Sequence, residues 1–496
     1  MKRNPAIAGP SPDRAWCAVA ASSLLLGLSG IVAAAPNVLL IIGDDMGVET
    51  LASYGVGENP PATAALDELA REGVRFTNVW SQPACSPTRA TMITGRYGFR
   101  TGVGLAVGFG PTMAAPPDKP AWAAAERAAR TRTSDRAAVR ASREARPALL
   151  PDEFTLPMAL KQSNDLGYAT AAIGKWHLAD ASNGWIEHPN RVGFDHYSGL
   201  ITGTPPSYFT WNKVVNGEVS GTTGYAPADK ADDAIRWIDQ QGDDPWFLWF
   251  AFNLPHVPLH VPPAETWQSD YSHIDPQSLP PEQSREYYSE TYPYFFAMIE
   301  AMDTQIGRLL ASLDPEVRDN TYVVFLADNG SGVVSAPFRS GHAKGTVYEG
   351  GINVPMIVTG PGVARGGVSE ALVNTTDLFV TIMEMAGIDP EDAIPGEVTH
   401  DSMSFFPALS NPDAPTGREW IYADYFAGGL PGVADGDYAM RGDRYKLLRY
   451  RGSEELYDLE RDPYEHDNLL TGELSVEEEA AYRALREQIQ ELGRGE

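Results

Sequence analysis

Five stretches of the chain are apolar at nearly every position: residues 38–42, 168–173, 246–252, 322–326 and 355–358. Unbroken runs of that length, rich in branched and aromatic residues, predict strands covered on both faces, as in a mainly parallel sheet between helices. Residues 64–72, 156–166, 226–241 and 294–313 carry apolar positions at helical spacing and predict the covering helices. The rhythm changes near residue 415. Residues 438–450 and 455–458 predict short antiparallel strands around turns, and residues 476–492 an amphipathic closing helix. The expected fold class is α/β: a large mixed, mainly parallel sheet over about residues 36–415, then a small C-terminal antiparallel α+β subdomain over 416–496.

The first 35 residues follow a different pattern. Lys2, Arg3 and Arg14 precede a weakly apolar Ala/Ser/Gly-rich stretch centred on Leu24, Leu25 and Leu26, which ends in Ala33, Ala34 and Ala35. That is the layout of a cleavable export signal, so a periplasmic or extracellular location is expected. No other run is long and apolar enough to span a bilayer, and no stable membrane insertion is expected.

Charge narrows the partners. The 496 residues hold 38 Lys+Arg against 66 Asp+Glu, a formal charge of −28, which excludes nucleic acid as a ligand because phosphate contact needs a concentrated positive face. One insert, at about 110–150, runs against the trend: Arg132, Arg136 and Arg140 stand four apart among alanines, as in a solvated helix. The only cysteines are Cys17 and Cys85. Cleavage of the signal would leave Cys85 alone, either reactive or buried and inert.

Two strand endings are alike: residues 38–42 run into Gly43-Asp44-Asp45, and 322–326 into Ala327-Asp328-Asn329. Adjacent carboxylates after a buried strand repel unless something positive sits between them. Either ending alone also suits capping or turn chemistry. Together, Asp44, Asp45, Asp328 and Asn329 point to an oxygen shell for calcium or magnesium. The string Cys85-Ser-Pro-Thr-Arg89-Ala-Thr-Met-Ile-Thr-Gly95-Arg96 predicts a helix that starts at or just after Cys85 and stops at Gly95. Cys85 would then lie at a helix N-terminus that attracts anions, with Arg89 one turn on.

Cys85, Pro87 and Arg89 form Cys-x-Pro-x-Arg, and here the chain resembles the type I sulfatases, related in fold to alkaline phosphatase. Gly174-Lys175-Trp176-His177-Leu178, Pro255-His256-Val257-Pro258, residues 344–351, Asp401-Ser402-Met403-Ser404 and residues 455–465 match further landmarks of that family, in order. The chain departs from the family's pattern at Asn353, where arginine is frequent, and in the long connection 104–149. The resemblance implies a hydrolase of sulfate monoesters that releases inorganic sulfate and an alcohol or phenol. It implies one divalent ion, calcium before magnesium, held by Asp44, Asp45, Asp328, Asn329 and the residue at 85. It implies that a maturating enzyme converts Cys85 to formylglycine, whose hydrate is the nucleophile. Arg89, Lys175 and Lys344 would neutralise sulfate, Lys344 and His256 would serve the leaving oxygen, and His177 would be the base that expels sulfate. Two alternatives stay open: a phosphonate monoester hydrolase or phosphodiesterase using the same site, and an inactive binder of sulfated ligands with an unmodified thiol. His342, Arg339 and His260 are read as loop residues.

Overall fold

A computed structural model describes residues 35–108, 148–162, 166–274, 288–333, 337–426 and 436–493. The export signal and the arginine-rich stretch fall outside the described residues, apart from their last few positions. Ten strands build the main sheet: β1 (Asn37–Gly43), β2 (Val74–Trp80), β3 (Ala169–Lys175), β4 (His196–Leu200), β5 (Thr210–Val215), β6 (Glu218–Thr223), β7 (Trp246–Ala251), β8 (Thr321–Ala327), β9 (Met356–Thr359) and β10 (Gly367–Asn374). Their order is β10-β2-β9-β8-β1-β7-β3-β4-β5-β6. The centre, β8-β1-β7-β3-β4, is parallel throughout. β9 runs antiparallel between β2 and β8, and the β5–β6 hairpin closes one edge.

β1 explains why the centre holds. Val38, Leu39, Leu40, Ile41 and Ile42 are all wholly buried, and each such side chain contributes about 1.5–3 kcal/mol. Helices cover both faces: α1 (Ala64–Glu72), α2 (Cys85–Thr94), α3 (Leu156–Gln162), α4 (Ala226–Asp239), α5 (Tyr288–Ser312) and α6 (Leu378–Met385). α5 packs on α1 and α4. It starts six residues earlier than the sequence suggested and runs through Pro293. A proline so near the start of a helix removes only one interior hydrogen bond, and the long body outweighs that loss.

A second sheet, β11 (Ile421–Tyr425), β12 (Asp437–Arg441), β13 (Tyr445–Tyr450) and β14 (Ser453–Asp458), is antiparallel in chain order, with α7 (Val476–Glu491) packed on it. Asn374, at the end of β10, fastens it: the side chain accepts from the Tyr422 amide and donates to the Tyr422 and Trp80 carbonyls. Lys446 of β13 is buried, pairs with Glu349 at 3.0 Å and Glu465 at 2.6 Å, and lies 4.6 Å from the Trp80 ring centre. Among the described residues, no helix is long and apolar enough to cross a membrane.

Behind β3, His188 is fully buried. Its Nδ1 accepts from Trp176 Nε1 at 3.0 Å and its Nε2 bonds the Leu149 carbonyl at 2.9 Å, an arrangement that only the neutral ring satisfies. Burial pushes its pKa down to about 4. The folded value lies below the unfolded one, so this stability is complete above about pH 6.5 and is lost as pH falls toward 4. Between pH 7 and pH 5, His188 should cost the fold about 2 kcal/mol. Denaturant titrations at the two pH values check this: a His188→Gln variant should lose that much less stability over the interval than the parent chain.

Candidate active site

The carboxyl ends of β8, β1, β7 and β3 lie side by side, the usual ligand edge of an open α/β sheet. Asp44 and Asp45 follow β1, Asp328 and Asn329 follow β8, Lys175 ends β3, and the turn bearing His256 follows β7. Backbone bonds keep these ends together: Asp44 N to Leu254 O at 2.9 Å and Asp328 N to Gly43 O at 3.0 Å. Gly174 is required before Lys175. Its φ is +111°, and a Cβ there would lie 1.8 Å from the Ala251 carbonyl oxygen.

Cys85 is the first residue of α2, as its string predicts, and Gly95 stops the helix with φ +66°. Every residue of α2 is buried, and Cys85 is only 1% exposed. Four cationic or acidic side chains converge on it from below. Arg89 Nε and Nη2 donate to Asp328 Oδ2 at 3.0 and 2.8 Å, and Nη1 to the Lys175 carbonyl at 2.8 Å. Lys175 Nζ donates to both Asp44 oxygens at 2.7 and 2.6 Å. These four side chains are wholly shielded from solvent.

The mouth is on the other side. Lys344 Nζ donates to Asp45 Oδ1 and lies 3.6 Å from Cys85 Sγ, while His256 Nε2 stands 3.8 Å from Asp45 Oδ2. Their side chains are 23% and 12% exposed. A small anion would thus meet a buried floor in which Arg89 and Lys175 are each paired with a carboxylate, and whatever it is attached to would point past Lys344 and His256.

Electrostatics follow from burial and crowding. Burial pushes Asp44 up to about 8 although Lys175 pulls it down, and Asp328 and Asp45 add repulsion. Burial also raises Asp45, but Lys344, then His256 and Lys175, outweigh it and hold this carboxyl well below its ordinary range. Burial raises the Cys85 thiol against the pull of Lys175 and Lys344. As an unmodified thiol it therefore stays protonated near neutrality and is a weak nucleophile.

The donors fit a cation. Single ligand atoms of Asp44, Asp45, Cys85 and His256 all lie within 4.8 Å of one another. Asn329 Nδ2 donates to Asp45 Oδ1 at 2.9 Å, which leaves its buried Oδ1 with no partner among the described residues. Crowded carboxylates plus an orphaned amide oxygen are the donor set of a hard divalent ion.

His177 sits in a strained left-handed conformation, φ +61°, as does Asp45 at +70°. Its Nε2 is 3.0 Å from the Val107 carbonyl, so in the neutral ring that nitrogen carries the proton and Nδ1 is the bare acceptor. Nδ1 is buried without a partner among the described residues. Burial, then Lys175 and Arg89, lower its pKa well below 6.5.

Sequence reasoning missed a layer behind the histidines. Asn253 donates through Nδ2 to the Gly203 carbonyl at 3.0 Å and accepts through Oδ1 from Lys230. Gly203 packs so closely on His177 that a Cβ would lie 2.3 Å from Cε1. The available signal was a lysine on the apolar stripe of α4, in phase with Ala226, Ala234 and Trp237. His342 stacks on Tyr348 at 3.6 Å, His260 stacks on Tyr208 at 4.3 Å, and Arg339 bonds the His466 carbonyl.

Comparison with known proteins adds relatives. Residues 36–388 match the sulfatase family, and residues 341–494 match the C-terminal part of N-sulphoglucosamine sulphohydrolase. The chain is similar to human N-acetylgalactosamine-6-sulfatase, 30% identical over 75% of this chain and 66% of that protein. Human arylsulfatase A is 28% identical over 91% of this chain and 87% of that protein. The ulvan-active sulfatase of Formosa agariphila is 27% identical over 88% and 77%. The chain spans 69% of the dog N-acetylgalactosamine-6-sulfatase. Its fold is similar to that of a solved Pseudoalteromonas sulfatase, with TM-score 0.65, 22% identity and coverage of 92% and 91%.

Proposed function

The chain belongs to the sulfatase family, and on that premise we propose that it hydrolyses sulfate monoesters through a formylglycine made from Cys85 and a divalent cation. The observation that carries this reading is the convergence of three cations and three carboxylates on a buried, protonated thiol. A thiol so placed is a poor nucleophile, which favours a modified residue at position 85. Formylglycine hydrate supplies two geminal hydroxyls, one to attack sulfur and one to expel sulfate. Asp44, Asp45, Asp328, Asn329 and the residue at 85 would hold the cation, which would supply positive charge for the reaction, with calcium the first choice over magnesium.

The chain's own residues do the rest. Arg89 and Lys175 form the floor that meets the sulfate oxygens, where low dielectric strengthens each contact. Lys344, on the solvent side, stabilises the charge on the departing oxygen, and His256 beside it completes the proton path. His177 holds Nδ1 as a bare lone pair in a neutral ring, the state of a base that removes the second hydroxyl's proton. Asp328, fixed by Arg89, takes the first.

The names of the relatives favour a sulfated sugar as the ester. We further propose that the protein is exported to the periplasm or cell exterior, that a maturating enzyme acts on Cys85, and that residues 36–415 and 416–496 are its two structural parts. Mass spectrometry of the tryptic peptide 76–89 tests the central claim together with assays on sulfated sugars and aryl sulfates. The expected result is an aldehyde or hydrate mass, turnover of a sulfate ester, and loss of that turnover on chelation with recovery on adding calcium. Active protein with only a thiol mass, or full activity after chelation, sinks the reading. Faster turnover of a matched aryl phosphonate would move it to that alternative substrate.

A further inference from the structure

Helix α4 buries one face against the sheet, and Lys230 is buried with it, 1% exposed among Ala226, Ala231, Ala234 and Trp237. An ammonium group in such a place is costly unless a charge compensates it. Among the described residues no carboxylate pairs directly with Lys230, and burial lowers its pKa to about 7. Its Nζ lies 5.1 Å from the Trp211 ring centre and donates to Asn253 Oδ1. Beyond these contacts, the charges of Asp44 and Asp229, neither in direct contact, favour its ammonium form.

The asparagine gives the lysine a role. An asparagine amide can point either way, and what surrounds it decides which. Lys230 Nζ donates to Asn253 Oδ1, and in its ammonium form it has no acceptor to offer, so it favours the orientation that turns Oδ1 toward it. That orientation presents Nδ2 to the Gly203 carbonyl at 3.0 Å. Gly203 is the wall against which the His177 ring rests. The backbone of Asn253 also anchors the other histidine: its carbonyl accepts from the His256 amide at 2.9 Å and from Tyr208 Oη, and the same hydroxyl also bonds the His256 carbonyl at 2.7 Å. A reversed amide would set two oxygens against each other at Gly203 and push that wall off His177.

We propose that Lys230 is a positioning residue for hydrolysis: it locks the Asn253 amide, which seats Gly203 against His177 and steadies the turn that carries His256. This rests on the sulfatase reading above, because His177 matters as the base of that reaction. A displacement of about 1 Å at such a group costs about 10- to 100-fold in rate.

The test uses the full-length matured protein, with Lys230→Met, Asn253→Ala and the double variant, assayed on an aryl sulfate alongside thermal unfolding. Methionine keeps the stem and removes the donor. The expected result is a kcat about 10- to 100-fold lower for Lys230→Met, KM within about twofold, and an unfolding temperature unchanged or higher. In the Asn253→Ala background the lysine substitution should cost nothing further, because its effect runs through that amide. Unchanged kcat for Lys230→Met, rate losses that multiply in the double variant, or a fall in kcat that tracks a fall in unfolding temperature would each overturn the proposal. Absence of sulfate-ester turnover in the parent protein would instead bring down the functional reading on which it stands.

Discussion

A Cys85→Ser variant is expected to lose multiple turnover of sulfate esters by about 10³-fold or more, while still folding. Serine nearly preserves the shape at the N-terminus of α2, where the thiol lies 1% exposed with Lys344 Nζ at 3.6 Å. Its hydroxyl can attack sulfur under the same cations. The product, however, would be an ordinary alkyl sulfate with no second hydroxyl on the same carbon. His177 Nδ1 then has no proton to remove, and release must wait for water in a closed site. Intact-mass measurement after exposure to substrate should show one sulfuryl group per chain, and kinetics one equivalent of product. Sustained turnover by this variant would refute the route.

The second large effect is expected from Asp328→Asn. Asp328 Oδ2 takes two bonds from Arg89, and its Oδ1 accepts from the Asp45 amide at 3.2 Å. The substitution removes the negative charge of a proposed metal ligand and, with it, the proton acceptor. It also strands a guanidinium that has no exposure to solvent. Breaking one side of such a buried pair costs about 3–5 kcal/mol. We expect weaker calcium binding by calorimetry, a clear drop in unfolding temperature and at least about 100-fold lower kcat. A variant that keeps its cation affinity and its rate would show that Asp328 serves only as a brace for Arg89.

Sequence pattern revealed the strands that lie in the middle of the sheet and little of its margins. β1, β3, β7 and β8 are buried on both faces, so their apolar runs are unbroken. β2, Val74-Arg-Phe-Thr-Asn-Val-Trp80, is only partly buried and mixes polar residues in, and β10 carries a register shift after Ser369, so neither stands out. The β5–β6 hairpin did carry a signal, Asn216-Gly217 between two alternating stretches, and β6 is almost wholly exposed. At the site, the groups with their own strong local chemistry were legible: paired acids after a strand, and a cysteine and an arginine one helical turn apart. Asn253, Gly203 and Lys230 were not. What they do depends on three loops and a helix meeting in space, and none of the three carries a motif.

The fastening of the small sheet bears on how the chain can be recombined. Glu349 opens the short helix Glu349–Ile352 that follows the loop of Lys344, and its carboxylate is held by Lys446 of β13, while its amide donates to Glu465 beyond β14. Asn374 ties the neighbouring strand to β11 through both of its amide atoms. A crossover that swapped the last eighty or so residues for a homologue's would therefore inherit half of a salt-bridge lattice and leave the other half behind. Chimeras joined upstream of Lys344 should fare better than chimeras joined after Asn374, because only the former keep the lysine's loop and its distant tethers of one parentage.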